Sequence, residues 1–306
     1  MRTIYTMTKP ALLFATALFL ISCGDQPAAD RAITQATATD NYESDDAENE
    51  QVSKVREIFH AVPSPMDMAT VIREAGTKYE VSLLNDVKNV NEYSTARSRA
   101  LNLGIYGADL SYASIYNQNQ ESILFMSCTK KLSDNLGLSR AFNDHVIERM
   151  EENVDNRDSL LSIVSETYYM LDAYLKENDR DHLSAMIIAA GWIEGLYLAT
   201  SVTKEAVGAH DKLRTRIAEQ KYSLQDLLAL VNSYNRNGEL DGIIADLEEL
   251  NRAYEEVKIN RESGSLTVQE DGTTRLGGKT TPAMTDESLE KITHIVREIR
   301  TRYITA

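Results

Sequence analysis

Apolar residues recur every three or four positions over most of the chain from residue 51 onwards, a spacing that predicts helices. One clear series comprises Leu160, Leu161, Val164, Tyr168, Leu171 and Leu175, and a second comprises Leu289, Ile292, Ile295, Val296, Ile299 and Tyr303. No proline lies between Pro65 and Pro282, and a proline inside a helix costs about 3 kcal/mol. The sequence therefore predicts an all-α body, built as a multi-helix bundle or as an array of helical hairpins.

Local start signals and the apolar spacing set the helix boundaries. Ser64-Pro65-Met66-Asp67 and Ser223-Leu224-Gln225-Asp226 each place a serine three residues before an acid, which is typical of a helix N-terminus. The predicted helices are 51-61, 65-75, 92-116, 119-135, 139-151, 158-176, 181-204, 209-220, 223-235, 239-258 and 285-302.

The segment 263-281 breaks the helical pattern and holds four of the 14 glycines. Two short β-prone runs, 266-268 and 274-276, flank Asp271-Gly272, a dipeptide typical of tight turns. We expect a short β-hairpin here, and a mobile loop is the alternative.

The most apolar stretch runs from Leu183 to Val202 and contains one charged residue, Glu194. Its length and its Gly191 and Gly195 would also suit a membrane span. A lone glutamate is costly in hydrocarbon, so the stretch is better interpreted as a central buried helix. The two glycines would then allow another backbone to approach closely.

Two acids in apolar helices are the main candidates for chemistry. Helical spacing places Asp109 beside tyrosines three residues before and after it, and Glu194 beside a tyrosine three residues on. One interpretation is a structural network of carboxylates with Tyr, Arg or Lys partners; the other is a ligand pocket lined by aromatic rings and acids. The candidate ligand-binding residues are Asp109, Tyr106, Tyr112, Trp192, Glu194 and Tyr197.

Motifs for catalysis or for metal binding are missing from the sequence. Glu57-Ile-Phe-His60 is a single Glu-x-x-His, whereas a di-iron bundle needs two. Neither a phosphate-binding glycine loop nor Gly-x-Ser-x-Gly nor His-Glu-x-x-His occurs. We therefore assign no catalytic residue, no metal ligand and no cofactor. Cys128 lies in an apolar helical run and is expected to be an inert core thiol.

Composition and charge indicate a folded body and argue against one class of partner, nucleic acid. The 306 residues are 42% hydrophobic, enough for a folded body, and carry 47 acidic against 32 basic side chains, a formal charge of −15. Proteins bind phosphate backbones through Lys and Arg, and a body with this net negative charge would be repelled by them. We therefore expect no nucleic-acid partner.

The first 22 residues have the pattern of a cleaved signal peptide. Arg2 and Lys9 precede an apolar stretch, 11-21, which is too short to span a bilayer stably. The sequence then reaches Leu20-Ile-Ser-Cys23, which resembles the bacterial lipobox. That resemblance implies that Cys23 carries lipid and holds the chain at a membrane. The alternative is an ordinary secretory signal with an accidental cysteine.

The segment that follows Cys23 is strongly acidic. Residues 24-50 contain eight acidic residues and one basic residue, Arg31, and few apolar groups. Such a segment cannot bury enough surface to offset its ordering entropy, so we expect a flexible tether. The predicted organisation is a signal peptide at 1-22, a lipidated cysteine with its tether at 23-50, and a single helical domain at 51-306.

The whole chain is similar to the all-helical envelope lipoproteins of the Bacteroidota. This resemblance depends on Leu20-Ile-Ser-Cys23, on 100-109 (Ala-Leu-Asn-Leu-Gly-Ile-Tyr-Gly-Ala-Asp) and on 191-197 (Gly-Trp-Ile-Glu-Gly-Leu-Tyr). It implies a helical fold and a place in the cell envelope, with Gly24 after the cysteine favouring the outer membrane. It implies no activity. The first functional hypothesis is therefore a non-enzymatic lipoprotein that binds or organises an envelope protein partner, and the alternative is a small-molecule binding or sensing domain.

Overall fold

The computed structural model describes residues 65–203, 210–261, 265–268, 274–277 and 280–305. These all belong to a compact unit that spans Asp46–Ala306. The predicted signal peptide, Cys23, the tether and the helix at 51-61 lie outside the described residues.

The described part of the chain is mainly helical, which confirms the all-α class. Its α-helices are α1 Pro65–Glu74, α2 Ala96–Ile115, α3 Asn119–Asn135, α4 Asp144–Glu152, α5 Arg157–Glu177, α6 Asp181–Val202, α7 His210–Tyr234, α8 Asp241–Tyr254 and α9 Asp286–Ile304. Two short 3-10 turns, Val81–Leu83 and Val87–Asn91, lie between α1 and α2.

Side chains at several helix N-termini explain where those helices begin. Thr95 and Ser98 form a reciprocal capping box at the start of α2. Asn143 accepts a hydrogen bond from the Val146 amide at the start of α4. Thr285 caps α9 in the same way. Each cap satisfies an amide that has no partner inside its helix.

The prediction of two helices at 209-220 and 223-235 is wrong, because α7 is continuous across the proposed break. Ser223, which was expected to start the second helix, is buried inside α7. The apolar residues on either side of it form one stripe: Ile217, Leu224 and Leu227 are all fully buried. Burial of a continuous stripe outweighs a local start signal.

Four short strands form two antiparallel pairs among the described residues. Strands β2 Ser265–Val268 and β3 Thr274–Gly277 pair with Leu266 opposite Leu276, as the predicted hairpin requires. A second pair joins β1 Lys258–Arg261 to β4 Thr280–Ala283, and it was not predicted.

Helix α6 lies at the centre of the fold and packs against α1, α2, α5, α7 and α9. Of the helices described here, it is the one long and apolar enough to cross a membrane by length and composition, and 83% of its most apolar window is buried inside the protein. This burial agrees with the predicted central core helix.

Small residues allow α1 and α2 to approach α6. A Cβ on Gly104 of α2 would overlap the Ile187 carbonyl oxygen and lie 2.9 Å from the Gly191 nitrogen. A Cβ on Gly195 would lie 3.3 Å from the Met68 Cβ of α1. Close backbone approach at Gly191 was therefore predicted correctly, whereas Gly195 faces the side chain of Met68. Gly104 is the glycine that brings α2 to this surface.

Candidate functional site

The predicted cluster around Asp109 lies on one polar stripe of α2. Asn102, Tyr106, Asp109, Tyr112 and Tyr116 succeed one another at intervals of three or four residues, so they share one helix face. Facing them is the connection between α1 and α2, residues 77–93, which we call the strap.

The stripe hydrogen-bonds the backbone of the strap in reverse order along the chain. Tyr116 donates its hydroxyl proton to the Thr77 carbonyl at 3.1 Å. The Tyr112 hydroxyl accepts from the Glu80 amide at 3.2 Å. The Tyr106 hydroxyl donates to the Asp86 carbonyl at 2.8 Å. The strap therefore runs antiparallel to α2, and the tyrosines bond polar backbone groups along it, including the Thr77 carbonyl, which lies outside any helix or strand.

Asn85 is the most extensively bonded residue of the strap. Its amide donates to Asp109 Oδ2 at 3.1 Å, and its side-chain Nδ2 lies 3.0 Å from the Tyr93 hydroxyl and 3.2 Å from Asn102 Oδ1. Asn102 donates to the Tyr303 carbonyl at 2.9 Å, and the Tyr93 hydroxyl donates to the Ile304 carbonyl at 3.3 Å. This network joins the strap and α2 to the C-terminal end of α9.

Glu194 is paired with Arg300 of α9 inside the core. Arg300 donates from Nε to Glu194 Oε2 at 2.9 Å and from Nη2 to Oε1 at 3.1 Å. Nη2 also donates to the Leu83 carbonyl of the strap at 3.1 Å. Glu194 has no exposed surface and the Arg300 residue is 8% exposed, so water does not screen this pair.

Asp109 completes a buried charge cluster with Glu194 and Arg300. Burial raises the pKa of Asp109 well above 3.8, and the negative charge of Glu194 raises it further, against Arg300 and the Asn85 amide, which lower it. Burial also raises the pKa of Glu194, although Arg300 opposes this shift. One guanidinium holds one carboxylate, so these surroundings favour the neutral form of Asp109.

A proton on Asp109 would also account for the hydrogen bonding of its second side-chain oxygen, Oδ1. Oδ1 is buried and, within the described residues, receives no hydrogen bond from a nitrogen or hydroxyl donor. The Glu194 carboxyl lies within hydrogen-bonding reach of Asp109. With a proton on Asp109, the side chain can donate to Glu194 while its Oδ2 still accepts from the Asn85 amide.

The other predicted residues divide between this cluster and another place. Tyr197 stacks on Arg300, with the guanidinium carbon 4.6 Å from the ring centre, so it belongs to the charge cluster. Trp192 is separate, because its indole Nε1 donates to Gln220 Oε1 of α7 at 3.1 Å. Tyr106, Asp109, Tyr112, Glu194 and Tyr197 thus share one region, and Trp192 lies elsewhere on α6.

Two of the cavities in the described part of the fold bear on small-molecule binding. An apolar cavity of about 30 Å³ is lined by residues that include Gly107, Phe142 and Tyr168, and it has about the volume of one water molecule. A polar groove of about 390 Å³ lies between the C-terminal end of α6 and α9, near Ser201 and Arg297. Neither Asp109 nor Glu194 lines either cavity.

Cys128 is a buried thiol, as predicted, and burial raises its pKa to about 11. A thiol with that pKa carries almost no reactive thiolate at neutral pH. Among the residues described, no group of three or more His, Cys, Asp and Glu side chains is placed to hold a metal ion.

Sequence reasoning missed Arg300, Asn85 and Asn102. Arg300 had a detectable signal, because it lies four residues after Val296 and three before Tyr303, on the buried face of α9. Asn102 had one too, since it lies seven residues before Asp109 on the same face of an apolar helix. Asn85 had none, because it lies in an irregular segment without periodicity.

Comparison with known proteins identifies no relative. No protein-family model, no curated protein and no solved structure matches the chain.

Proposed function

We propose that the chain is a lipid-anchored envelope lipoprotein whose helical body has a binding or scaffolding role toward a protein partner. Leu20-Ile-Ser-Cys23 supports the anchor, because its pattern is that of a lipidation site. The acidic segment 24-50 supports a tether that would separate the body from the bilayer. The resemblance to Bacteroidota envelope lipoproteins belongs to the same proposal.

The observation that supports a protein-binding role is that both buried acids already have partners inside the fold. Glu194 holds Arg300, and Asp109 holds the strap through Asn85. Both acids are fully buried, and a ligand would have to displace a salt bridge and a packed segment to reach them. This arrangement favours a structural task for the polar core and supports the proposal that recognition takes place on the surface.

The surface carries apolar groups that a protein partner could cover. Ile123 and Leu124 of α3 are 46% and 50% exposed, and Met170 of α5 is 40% exposed. Aliphatic and thioether side chains of this kind contribute to protein interfaces when they become buried.

Site-specific photo-crosslinking in intact envelopes tests this proposal. A crosslinking amino acid at Leu124 is compared with the same residue at Glu248, an exposed position on α8. The proposal predicts a discrete crosslinked protein from position 124 and none from 248. Identical diffuse labelling at both positions, or none at either, would contradict a partner at Leu124.

One observation favours small-molecule binding as a second candidate function, at a place other than the predicted one. The 390 Å³ groove beside Ser201 and Arg297 is large enough for a small polar molecule, and Ser201 Oγ is buried without a hydrogen-bond partner among the described residues. Thermal unfolding in the presence of small carboxylates and amino acids tests it. A rise in midpoint that Arg297→Gln removes would support this candidate, and unchanged midpoints would oppose it.

A further inference from the structure

We propose that protonated Asp109 is a latch that holds the strap on α2, and that loss of its proton as the pH rises releases the strap while the rest of the body stays folded. The proposal concerns the fold itself and does not depend on the proposed function.

The strap meets the buried charge cluster at two backbone groups. The Asn85 amide donates to Asp109, and the Leu83 carbonyl accepts from Arg300. Leu84, which lies between them, is 9% exposed. Residues 83–85 therefore cover Asp109 and Arg300, and movement of the strap would admit water to both.

Among the groups that surround Asp109, one carries a positive charge. Glu194 comes from α6 and Arg300 from α9. Among the described residues, Asp109 also interacts electrostatically with Tyr79 and Tyr93 of the strap, Tyr106 of α2, Cys128 of α3 and Tyr168 of α5. None of these except Arg300 can carry positive charge, and Glu194 already occupies its guanidinium fork. An ionised Asp109 would add a second negative charge to a site with one positive charge.

Proton linkage turns this arrangement into a switch. With the strap closed, burial and Glu194 hold the pKa of Asp109 above its usual value. With the strap open, water solvates Asp109 and its pKa returns toward the usual range. Between these two pKa values, the open fraction increases about tenfold for each pH unit, because opening releases one proton. The opening is therefore driven by rising pH.

Within the middle of the strap, 78–89, Leu84 is the one buried apolar residue, which limits the free energy that local opening costs. The turn Val81–Leu83 has no buried residue, and Val81 is 56% exposed. Segments with few buried contacts open with less free energy than the core helices. Thr77 is buried at one end of the strap, and Val90 and Tyr93 are buried at the other, so the two ends remain attached to the body.

Hydrogen exchange read by mass spectrometry on the full chain between pH 5 and 9 tests the proposal. Protection of peptides covering 77–93, corrected for intrinsic exchange rates, should fall by up to about tenfold per pH unit above the onset of opening. Peptides from α8 serve as the internal control and should not change. In Asp109→Asn, the carboxamide keeps both hydrogen bonds without titrating, and strap protection should be independent of pH.

Three outcomes would overturn the proposal. Strap protection in the wild-type chain could be independent of pH; it could fall in parallel with α8, which would show global unfolding; or it could keep the same slope in Asp109→Asn. Should that variant fail to fold, Glu194→Gln replaces it. This second variant removes the competing negative charge and frees Arg300 for Asp109, so the pH range over which strap protection falls should end at a lower pH than in the wild type. An unchanged range again contradicts the latch.

Discussion

Glu194 and Arg300 are 106 positions apart in the chain, yet the guanidinium of Arg300 holds both carboxylate oxygens of Glu194, at 2.9 and 3.1 Å, where Glu194 has no exposed surface. Two parallel hydrogen bonds fix the direction of both side chains as well as their separation. The pair therefore links α9 to α6 beside Asp109, and the same guanidinium holds the strap at the Leu83 carbonyl.

The contact between α2 and α6 should tolerate no added methyl group at Gly104. Gly104→Ala would place Cβ against the Ile187 carbonyl oxygen, and we expect a loss of about 2 to 3 kcal/mol in the free energy of unfolding. Gly195→Ala is the matched control, because its Cβ would meet the Met68 Cβ at 3.3 Å and alanine favours the helix. Urea unfolding should show that Gly104→Ala is clearly the less stable of the two, and equal midpoints would contradict the close packing.

Asp109 should make the protein less stable as the pH rises. Its folded-state pKa is raised, so above about pH 4 the unfolded chain loses a proton that the folded chain keeps. The free energy of unfolding therefore falls by about 1.4 kcal/mol per pH unit until the raised pKa is reached. Asp109→Asn lacks this contribution, and the difference between wild type and variant isolates it. A difference that does not change with pH would show that Asp109 is ionised in the folded state.

Asn85→Ala should destabilise the protein through unpaired groups in the network. The substitution removes partners from the Tyr93 hydroxyl and from Asn102, and we expect a loss of about 1 to 3 kcal/mol. Asn91→Ala, at an exposed position on the same strap, should change stability by less than about 0.5 kcal/mol. Thermal or urea unfolding compares the two, and a similar effect at both positions would argue against a network centred on Asn85.

Cys23→Ser should remove the proposed lipid anchor. We expect the substituted protein to move from the membrane fraction to the aqueous phase of a detergent extraction, because the acyl chains supply the membrane affinity. Cys128→Ser is the control, since Cys128 is buried in the body, and it should stay with the membrane if it folds. Continued membrane binding by the Cys23 variant would require a different attachment.

The helices were largely predictable because apolar periodicity reports directly on the buried face of each one. The same periodicity placed Tyr106, Asp109 and Tyr112 on one face of α2 and showed that Glu194 needed a partner. The partner groups themselves, Arg300 and the strap backbone, depend on contacts between distant parts of the chain, which a local pattern does not contain. The predicted break in α7 was wrong for a related reason. The burial that keeps this helix continuous comes from neighbouring helices, which a local pattern does not show.

The central claim is that Glu194 and Arg300 form a structural pair, and a double-mutant cycle measures it most directly. The cycle combines Glu194→Gln with Arg300→Met in an Asp109→Asn background, so that Asp109 cannot replace the lost carboxylate. Each single change leaves one buried charge unpaired and should cost about 3 to 5 kcal/mol in urea unfolding. The double change should cost less than the sum, with a coupling of about 2 to 3 kcal/mol. Additive effects, with a coupling below about 0.5 kcal/mol, would contradict the claim.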